Sequence, residues 1–378
     1  MRRARLLTLG LLLALAGCGP RQRVVRVAVA LPLTGDLGNE GQGLLRAVTL
    51  AVEQANEAKR FPFRVEAVGY DDRADPSEAA NVANLIVSDA RVVAVIGHYM
   101  SDCALEAAPI YAAASIPMVT PSATNPELTA RQLSAAWRGP RVVFRMVPTD
   151  EVQGAYAASF AFRNLRRRRV AVMRDQTPYA KGLIAQFEKT FKLMGGKIAS
   201  EDGISAGDKD FKALLSRIKA EQPDALYYAG TYIEAGLVVS QMRAVGMTKT
   251  TFLSGDGAHT PSLFQVAGDA ADGAYLTTLG VPVEVLPADD GFVAAYRERW
   301  PGEDLKPYDP IGYEAAEIIL DGLARSGPDR AKLVGALRAT HRRGVLGTVS
   351  FDEKGDTLAK AVTMMRADAK DRTFKVAR

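Results

Sequence analysis

Apolar residues follow two different spacings along most of this chain. Short valine-rich runs, such as Val24–Leu31 and Val92–Ile96, are typical of buried strands. Longer segments between such runs carry apolar residues every three or four positions, and the one at Gly41–Lys59 predicts an amphipathic helix. Asp75 and Pro76 begin a further predicted helix, because aspartate caps helix starts and proline fits the first turn. Strand and helix therefore alternate, which indicates a parallel sheet with helices on both faces.

The same alternation restarts after residue 147. Its predicted strands include Arg169–Arg174, Ala225–Ala229 and Thr251–Ser254, with helices between them. Two consecutive α/β units of about 120 residues each indicate two similar lobes of ordinary domain size. The remaining C-terminal part is too short for a third lobe, so we expect it to return and complete the other two. The predicted fold class is α/β, with two lobes that each hold a parallel sheet flanked by helices.

The N-terminal segment has a different pattern. Three arginines within the first five residues precede an apolar run at Leu6–Ala16. A helix of that length spans about 16 Å, which is too short for a bilayer and is typical of a secretory signal peptide. The run ends in the sequence LAGC, which resembles the lipobox of bacterial lipoproteins and implies cleavage before Cys18 and a lipid on its sulfur. The alternative is an ordinary signal peptide, residues 1–17, followed by an incidental cysteine.

The composition looks different once this leader is removed. The chain has 378 residues and a formal net charge of +5, but residues 1–17 hold three arginines and no acid. The mature chain keeps 45 basic and 43 acidic residues, a net charge of +2, which gives little reason to expect nucleic acid as a partner. His98, His259 and His341 lie far apart and give no metal-ligand spacing. We therefore expect no metal and no cofactor.

Polar loops follow the predicted strands of both lobes. In open parallel sheets, ligands bind beyond the carboxyl ends of the strands. Five such loops carry hydroxyl or carboxylate side chains, and in two facing lobes they could line one cleft. They begin at Gly97, Pro121, Asp175, Gly230 and Gly255.

Five side chains in these loops have both a binding and a structural interpretation. Ser101 begins a predicted helix, where free N–H groups favour an anion such as a carboxylate, or it only caps that helix. Ser122 and Thr124 could contact the same anion, or only their own backbone. Asp256 could pair with an ammonium group or serve as a turn residue, and Tyr179 could cover a ligand or only pack at a helix start.

The sequence does not predict an enzyme. A nucleophile needs a general base and an orienting group, and no such set is evident. Cys103 has only His98 nearby, and we expect a buried thiol inside a helix. Asp71 and Asp72 are paired acids in a loop, and we expect them to be solvated.

Several stretches resemble the leucine/isoleucine/valine-binding protein family, the periplasmic amino-acid receptors of branched-chain ABC importers. They include Tyr70–Asp72, Gly97–Ser101, Thr120–Thr129, Asp208–Phe211 and Phe351–Asp356, and they extend over essentially the whole mature chain. The resemblance implies a type I periplasmic-binding-protein fold whose lobes are joined by crossing hinge strands. We expect the crossings near residues 147–150, 274–278 and 350–352.

The resemblance also implies roles for individual residues, position by position. It assigns Ser101, Ser122 and Thr124 to the α-carboxylate of the ligand. It assigns Asp256 to the α-ammonium group, and Tyr179 would close over the ligand from the second lobe.

Further positions that the resemblance assigns lie around the rest of the pocket. Main-chain groups of Tyr99 and Ala123 would contact the ligand backbone. Glu40 occupies the position of a pocket aromatic, and an inward Glu40 would favour a polar or cationic ligand side chain. Met100 replaces a cysteine that forms a disulfide in some members, and Tyr232 is an aromatic displaced by one position.

The expected lobes are built from discontinuous segments. Residues 18–25 form a lipidated tether, 26–147 with 276–350 form the first lobe, and 148–275 with 351–378 form the second. We expect a monomeric lipoprotein on the outer face of the membrane or in the periplasm. It would bind an amino acid of branched-chain or related type, polar ones included, and deliver it to permease and ATPase subunits. The alternatives with the same fold are a receptor for amides, urea or aromatic acids, and a ligand sensor for a signalling partner.

Overall fold

The computed structural model describes residues 23–287 and 290–377. The predicted signal peptide and the predicted lipidation at Cys18 lie outside the described residues. Within the described residues, every helix is too short or too polar to cross a membrane.

Strands account for much of the buried chain. In chain order they are β1 (Val24–Leu31), β2 (Arg64–Asp71), β3 (Val92–Gly97), β4 (Met118–Thr120), β5 (Val143–Arg145), β6 (Arg169–Arg174), β7 (Lys197–Gly203), β8 (Ala225–Ala229), β9 (Thr251–Ser254), β10 (Tyr275–Leu279), β11 (His341–Gly344), β12 (Gly347–Ser350), β13 (Val362–Asp368) and β14 (Thr373–Val376).

The α-helices lie between these strands. They are α1 (Gly38–Glu57), α2 (Pro76–Ser88), α3 (Ser101–Ala113), α4 (Glu127–Ala130), α5 (Asp150–Ser159), α6 (Pro178–Leu193), α7 (Lys212–Ala220), α8 (Tyr232–Ala244), α9 (Ser262–Ala267), α10 (Gly291–Arg299), α11 (Asp309–Ser326) and α12 (Arg330–Arg338). Short 3-10 turns and one π-helical turn, Phe160–Asn164 after α5, complete the helical segments.

The strands form two main sheets, one in each lobe. The first lobe contains a 5-stranded parallel sheet in the order β2-β1-β3-β4-β5. The second contains a 7-stranded sheet in the order β14-β13-β10-β9-β8-β6-β7. Strands β6 to β10 of that sheet are parallel, while β13 and β14 add an antiparallel edge. The predicted two-lobed α/β architecture is confirmed, and the antiparallel edge is an addition to it.

Local sequence explains why these elements form. The β1 run VVRVAVAL is buried along most of its length, as a strand in the middle of a parallel sheet requires. Asp75 caps α2 as predicted, because its side chain accepts a hydrogen bond from the Glu78 N–H. Strands β5 and β11 were not predicted, since the first has only three residues and the second is the polar sequence HRRG.

The chain passes between the two sheets three times. The first crossing leads from β5 to α5, near the expected position. The other two lie after Leu279 and before Val362, because β10 lies wholly in the larger sheet and the segment after β12 packs on the first lobe. Phe351 contacts Phe144 with ring centroids 5.2 Å apart. The expected boundaries at 276 and 350 therefore differ from the crossings in the structure.

Candidate ligand-binding site

A cavity lies where the carboxyl ends of the strands of both sheets meet. Its volume is about 30 Å³ in this structure. Side chains and loops from both lobes form its wall, so a ligand inside would contact both. The lining residues are Leu37, Tyr99, Met100, Ser101, Ser122 and Tyr308 from the first lobe and Tyr179, Thr231, Asp256 and Gly257 from the second.

Ser101 is the first residue of α3 and is 2% exposed. The residue at the cap position is Met100, and the Ser101 hydroxyl makes no capping hydrogen bond. Ser101 Oγ accepts instead from the Asn125 N–H at 3.3 Å, which leaves its own hydrogen free to donate. The helix start and this hydroxyl together place hydrogen-bond donors at one corner of the cavity.

Ser122 has a second role in the same corner. Its hydroxyl donates to the Tyr99 carbonyl at 2.9 Å and so joins the loops that follow β3 and β4. To donate to a ligand, this hydroxyl would have to rotate away from Tyr99. Ser122 therefore shapes the cavity wall through its neighbour as well as lining it.

Ala123 and Thr124 lie behind the cavity wall. The Ala123 N–H donates to Thr120 Oγ1 at 3.0 Å, and its carbonyl accepts from the Arg145 guanidinium at 3.2 Å. Both main-chain groups of Ala123 thus already have partners inside the protein. The buried Thr124 hydroxyl has no hydrogen-bond partner among the described residues and lies close to the carboxyl group of Asp150.

Asp256 provides a buried carboxylate from the second lobe and is 6% exposed. Its Oδ1 accepts from the Tyr179 hydroxyl at 2.8 Å, its Oδ2 accepts from the Tyr308 hydroxyl, and its N–H donates to Gln153 Oε1 at 2.9 Å. Burial raises the pKa of Asp256, and the hydrogen bonds from the two tyrosines oppose that rise. Tyr308 was not predicted, and it comes from the loop that precedes α11.

Asp150 is a second buried acid near Asp256, and it too was not predicted as a site residue. It is the first residue of α5 and is fully buried. Burial raises the pKa of Asp150 to about 8, although a position at a helix start favours a negative charge. Both carboxyl oxygens lack a hydrogen-bond partner among the described residues. Its place at the first crossing between the lobes was the one sequence signal that could have identified it.

Glu40 and Tyr232 do not line the cavity. The Glu40 carboxylate accepts from the hydroxyls of Thr260 at 2.9 Å and Ser262 at 3.1 Å. The Tyr232 hydroxyl donates to the Asp36 carbonyl at 2.7 Å. Both residues therefore connect the two lobes beside the cavity. The Glu40 side chain does not point into the cavity.

The cavity lining also includes apolar surface. Leu37 and Met100 contribute aliphatic atoms, and Tyr99 contacts Tyr308 edge to face with ring centroids 5.4 Å apart. Thr231 joins the lining from the second lobe. The lining therefore combines a few polar groups with apolar side chains, as ligand sites commonly do.

Other reactive groups lie outside the cavity. Within residues 23–287 and 290–377, the structure contains no group of three or more His, Cys, Asp or Glu side chains placed to hold a metal ion. Cys103 is buried, as predicted, and burial raises the pKa of its thiol, so it is not an activated nucleophile.

Sequence comparison agrees with this architecture. The model of the family described as "Periplasmic binding protein" matches residues 24–372. The chain belongs to that family. Its relatives are substrate-binding proteins of transport systems and not enzymes, and those of the branched-chain amino-acid ABC transporter group are similar over most of its length.

Three relatives illustrate the similarity of this periplasmic binding protein. The leucine-, isoleucine-, valine-, threonine- and alanine-binding protein of Pseudomonas aeruginosa is 33% identical over 88% of this chain and 87% of its own. The leucine-binding protein LivK of Thermotoga maritima is 33% identical, with a TM-score of 0.83 over 94% of this chain and 98% of that one. LivJ of Streptococcus pneumoniae, solved in complex with isoleucine, is 25% identical, with a TM-score of 0.84 over 94% and 99%.

Proposed function

We propose that this periplasmic binding protein is an extracytoplasmic receptor for an aliphatic α-amino acid. The observation that carries the proposal is the set of groups that line one cavity. A serine at a helix start comes from the first lobe, a buried carboxylate comes from the second, and apolar side chains line the same space. An aliphatic amino acid offers a carboxylate, an ammonium group and an apolar side chain to these three kinds of group.

The ligand carboxylate would bind at Ser101. The first turn of α3 presents unpaired N–H groups and the positive end of the helix dipole. The Ser101 hydroxyl adds a donor, since its oxygen already accepts from Asn125 and its hydrogen is free. Ser122 and Thr124, also expected at this group, would contribute after the Ser122 hydroxyl rotates or the Thr124 hydroxyl turns toward the ligand.

The ligand ammonium group would bind at Asp256, with the buried Asp150 nearby. An ammonium ion favours the charged form of nearby acids, so it would offset the desolvation that raises the pKa of Asp256 and Asp150. Tyr179 would hold Asp256 in place from the second lobe. This arrangement gives specificity for α-amino acids over neutral amides.

The apolar part of the lining argues for an aliphatic side chain. Glu40, which an inward orientation would have made a selector for polar ligands, is occupied by Thr260 and Ser262. The branched-chain amino acids named for the relatives, including the isoleucine of the Streptococcus complex, fit the same reasoning.

Contacts between the lobes would couple binding to closure. A ligand that bridges Ser101 and Asp256 touches both lobes and so favours the closed form over the open one. The closed receptor would then deliver its ligand to permease and ATPase subunits of an ABC importer. A lipid on Cys18 would keep the monomeric receptor at the membrane, and replacement of Cys18 by alanine should release it into the soluble fraction.

The test is a thermal-shift screen of the purified protein against the L-amino acids, with amides, urea and 4-hydroxybenzoate as competing classes. A ligand at about 100 times its dissociation constant adds about 2.7 kcal/mol to the free energy of unfolding. L-leucine, L-isoleucine or L-valine should raise the melting temperature, and their D-enantiomers should not. A shift with amides or the aromatic acid alone would contradict the proposal.

A further inference from the structure

A buried polar network lies directly behind the loops that hold Ser101 and Ser122. His98 and Asp72 are both fully buried, and His98 Nδ1 lies 2.6 Å from Asp72 Oδ2. His98 Nε2 lies 3.0 Å from the Tyr111 hydroxyl. The expectation that Asp72 is a solvated loop acid is therefore wrong, because its carboxylate accepts from a histidine inside the first lobe.

The three groups give both nitrogens of the imidazole a partner. A carboxylate can only accept, so Nδ1 carries a proton and donates it to Asp72. Nε2 shares a hydrogen bond with the Tyr111 hydroxyl, which can donate or accept. All three side chains are fully or nearly fully buried, so water does not compete for these hydrogen bonds.

Asp72 connects this histidine to the neighbouring strands. Its second carboxylate oxygen accepts from the Ala74 N–H at 3.0 Å. Its own N–H donates to the Leu31 carbonyl at 3.0 Å, at the end of β1. The imidazole is thereby attached to the carboxyl ends of β1 and β2.

The main chain of His98 connects the network to the next loop. The Thr120 hydroxyl donates to the His98 carbonyl at 2.9 Å. Thr120 Oγ1 in turn accepts from the Ala123 N–H at 3.0 Å, which turns the loop that carries Ser122 toward the cavity. The loop after β4 therefore takes its position from the residue at the end of β3.

Tyr111 connects the network to α3. It lies in this helix, whose first residue is Ser101. The hydrogen bond between Tyr111 and His98 thus links this helix to the end of β3. His98 also lies three residues before Ser101 in the chain. The same residue therefore leads directly into the start of α3 and, through Tyr111, contacts a later turn of that helix.

We propose that His98 is a positioning residue for ligand binding: held between Asp72 and Tyr111, it fixes Ser101 and Ser122 where they meet the ligand carboxylate. The inference rests on the proposed amino-acid specificity of the cavity. It assigns His98 no contact with the ligand, and His98 acts only through the two loops that it joins.

A pair of variants separates this role from ordinary core stability. His98→Asn keeps a side-chain donor for Asp72 but loses the contact with Tyr111, and Tyr111→Phe removes the same contact from the other side. Val52→Ala is the matched control, because it creates a lesion in the same lobe near the far end of α1. Binding of L-leucine is measured by calorimetry well below the melting temperature of each folded variant.

We expect His98→Asn to bind L-leucine at least tenfold more weakly and Tyr111→Phe at least threefold more weakly, with Val52→Ala within twofold of the parent protein. An affinity equal to that of the parent protein in His98→Asn and Tyr111→Phe would overturn the inference. The proposed function would still stand in that case, provided that the parent protein binds L-leucine. If it binds no aliphatic amino acid, the proposed function and the inference fail together.

A spectroscopic measurement on the unaltered protein covers the case in which a variant does not fold. The Nδ1–H proton of His98, bonded to a buried carboxylate, should give a resolved imidazole resonance far downfield. Addition of L-leucine should change the chemical shift of this resonance, because the ligand would contact the loops that are hydrogen-bonded to His98. An unmoved resonance in the leucine-saturated protein would contradict the positioning role.

Discussion

Glu40 of the first lobe and Thr260 of the second share a hydrogen bond of 2.9 Å beside the ligand cavity. Ser262 donates to the same Glu40 oxygen at 3.1 Å. In the proposed opening of the lobes, both hydrogen bonds would break and the carboxylate, which is 4% exposed here, would return to water. Glu40 is thus a contact between the lobes and not a wall of the cavity.

Replacement of Glu40 should change closure without changing the cavity. Glu40→Ala removes two hydrogen bonds with a net value of about 1 kcal/mol each, so ligand affinity should fall by roughly tenfold or more. Glu40→Gln keeps an acceptor for both hydroxyls and should bind more tightly than the alanine variant. Calorimetric titration with L-leucine measures both. Equal affinities in the two variants would show that the contact contributes nothing to closure.

The burial of Glu40 between the lobes should make the ligand affinity depend on pH. Burial raises the pKa of Glu40 between the lobes, so the proposed closure takes up a proton at pH values between the ordinary glutamate pKa and the raised one. Affinity attributable to this group is therefore full at low pH and is lost as pH rises through the raised pKa. The difference between the parent protein and Glu40→Gln, measured by calorimetry from pH 4.5 to 8, isolates this group because Asp150 and Asp256 are present in both.

Ser101→Ala tests the proposed contact with the ligand carboxylate. Loss of a hydrogen bond to a charged group should weaken L-leucine binding by about 1–3 kcal/mol, while the fold persists because Ser101 does not cap its helix. Ser216→Ala is the control, since this serine on α7 only donates to the Lys212 carbonyl at the surface. Unchanged calorimetric affinity in Ser101→Ala would remove this serine from the site.

The order of strands and helices could be predicted because it depends on local patterns. Buried runs such as that of β1 and caps such as Asp75 determine their own conformation within a few residues. Ser101 could be identified for the same reason, as a helix start that follows a buried strand. The local sequence could not show whether Ser101 caps its helix, because Met100 takes the cap position in the folded protein.

The residues that sequence reasoning missed depend on contacts between distant segments. Tyr308 reaches Asp256 from 52 residues further along the chain, and no local pattern predicts that approach. Glu40 meets Thr260 from 220 residues away, so the pattern around Glu40 alone left its direction open. Asp72 resembles a solvated loop acid until the neighbouring strand brings His98 against it.

Asp256→Asn tests the proposed contact with the ligand ammonium group. The amide keeps an acceptor for one tyrosine but loses the charge that would face the ligand ammonium group. Truncation of a buried charge pair costs about 2–5 kcal/mol, so L-leucine affinity should fall by at least thirtyfold. Asp269→Asn in the same lobe, an exposed aspartate, is the control and should bind normally. A normal affinity in Asp256→Asn would place the ammonium group elsewhere.

Asp150→Asn should change how the stability of the ligand-free protein depends on pH. The pKa of this carboxyl group is about 8 in the folded protein and near 4 in the unfolded chain, so the folded state holds the extra proton between those values. Stability that the neutral form contributes is therefore complete below pH 4 and is lost as pH rises toward 8, by about 1.4 kcal/mol per pH unit for one proton. The asparagine variant cannot ionise and should lose less stability over this range.

The measurement is urea denaturation of the parent protein and Asp150→Asn at pH 5, 6.5 and 8. Asp309, whose pKa burial raises to about 7, titrates in both proteins, so its contribution cancels in the difference between them. The difference in the free energy of unfolding should grow in favour of Asp150→Asn with each step in pH. Parallel pH profiles would mean that Asp150 is already ionised in the folded protein at pH 5, and that a partner within the protein holds its charge before any ligand binds.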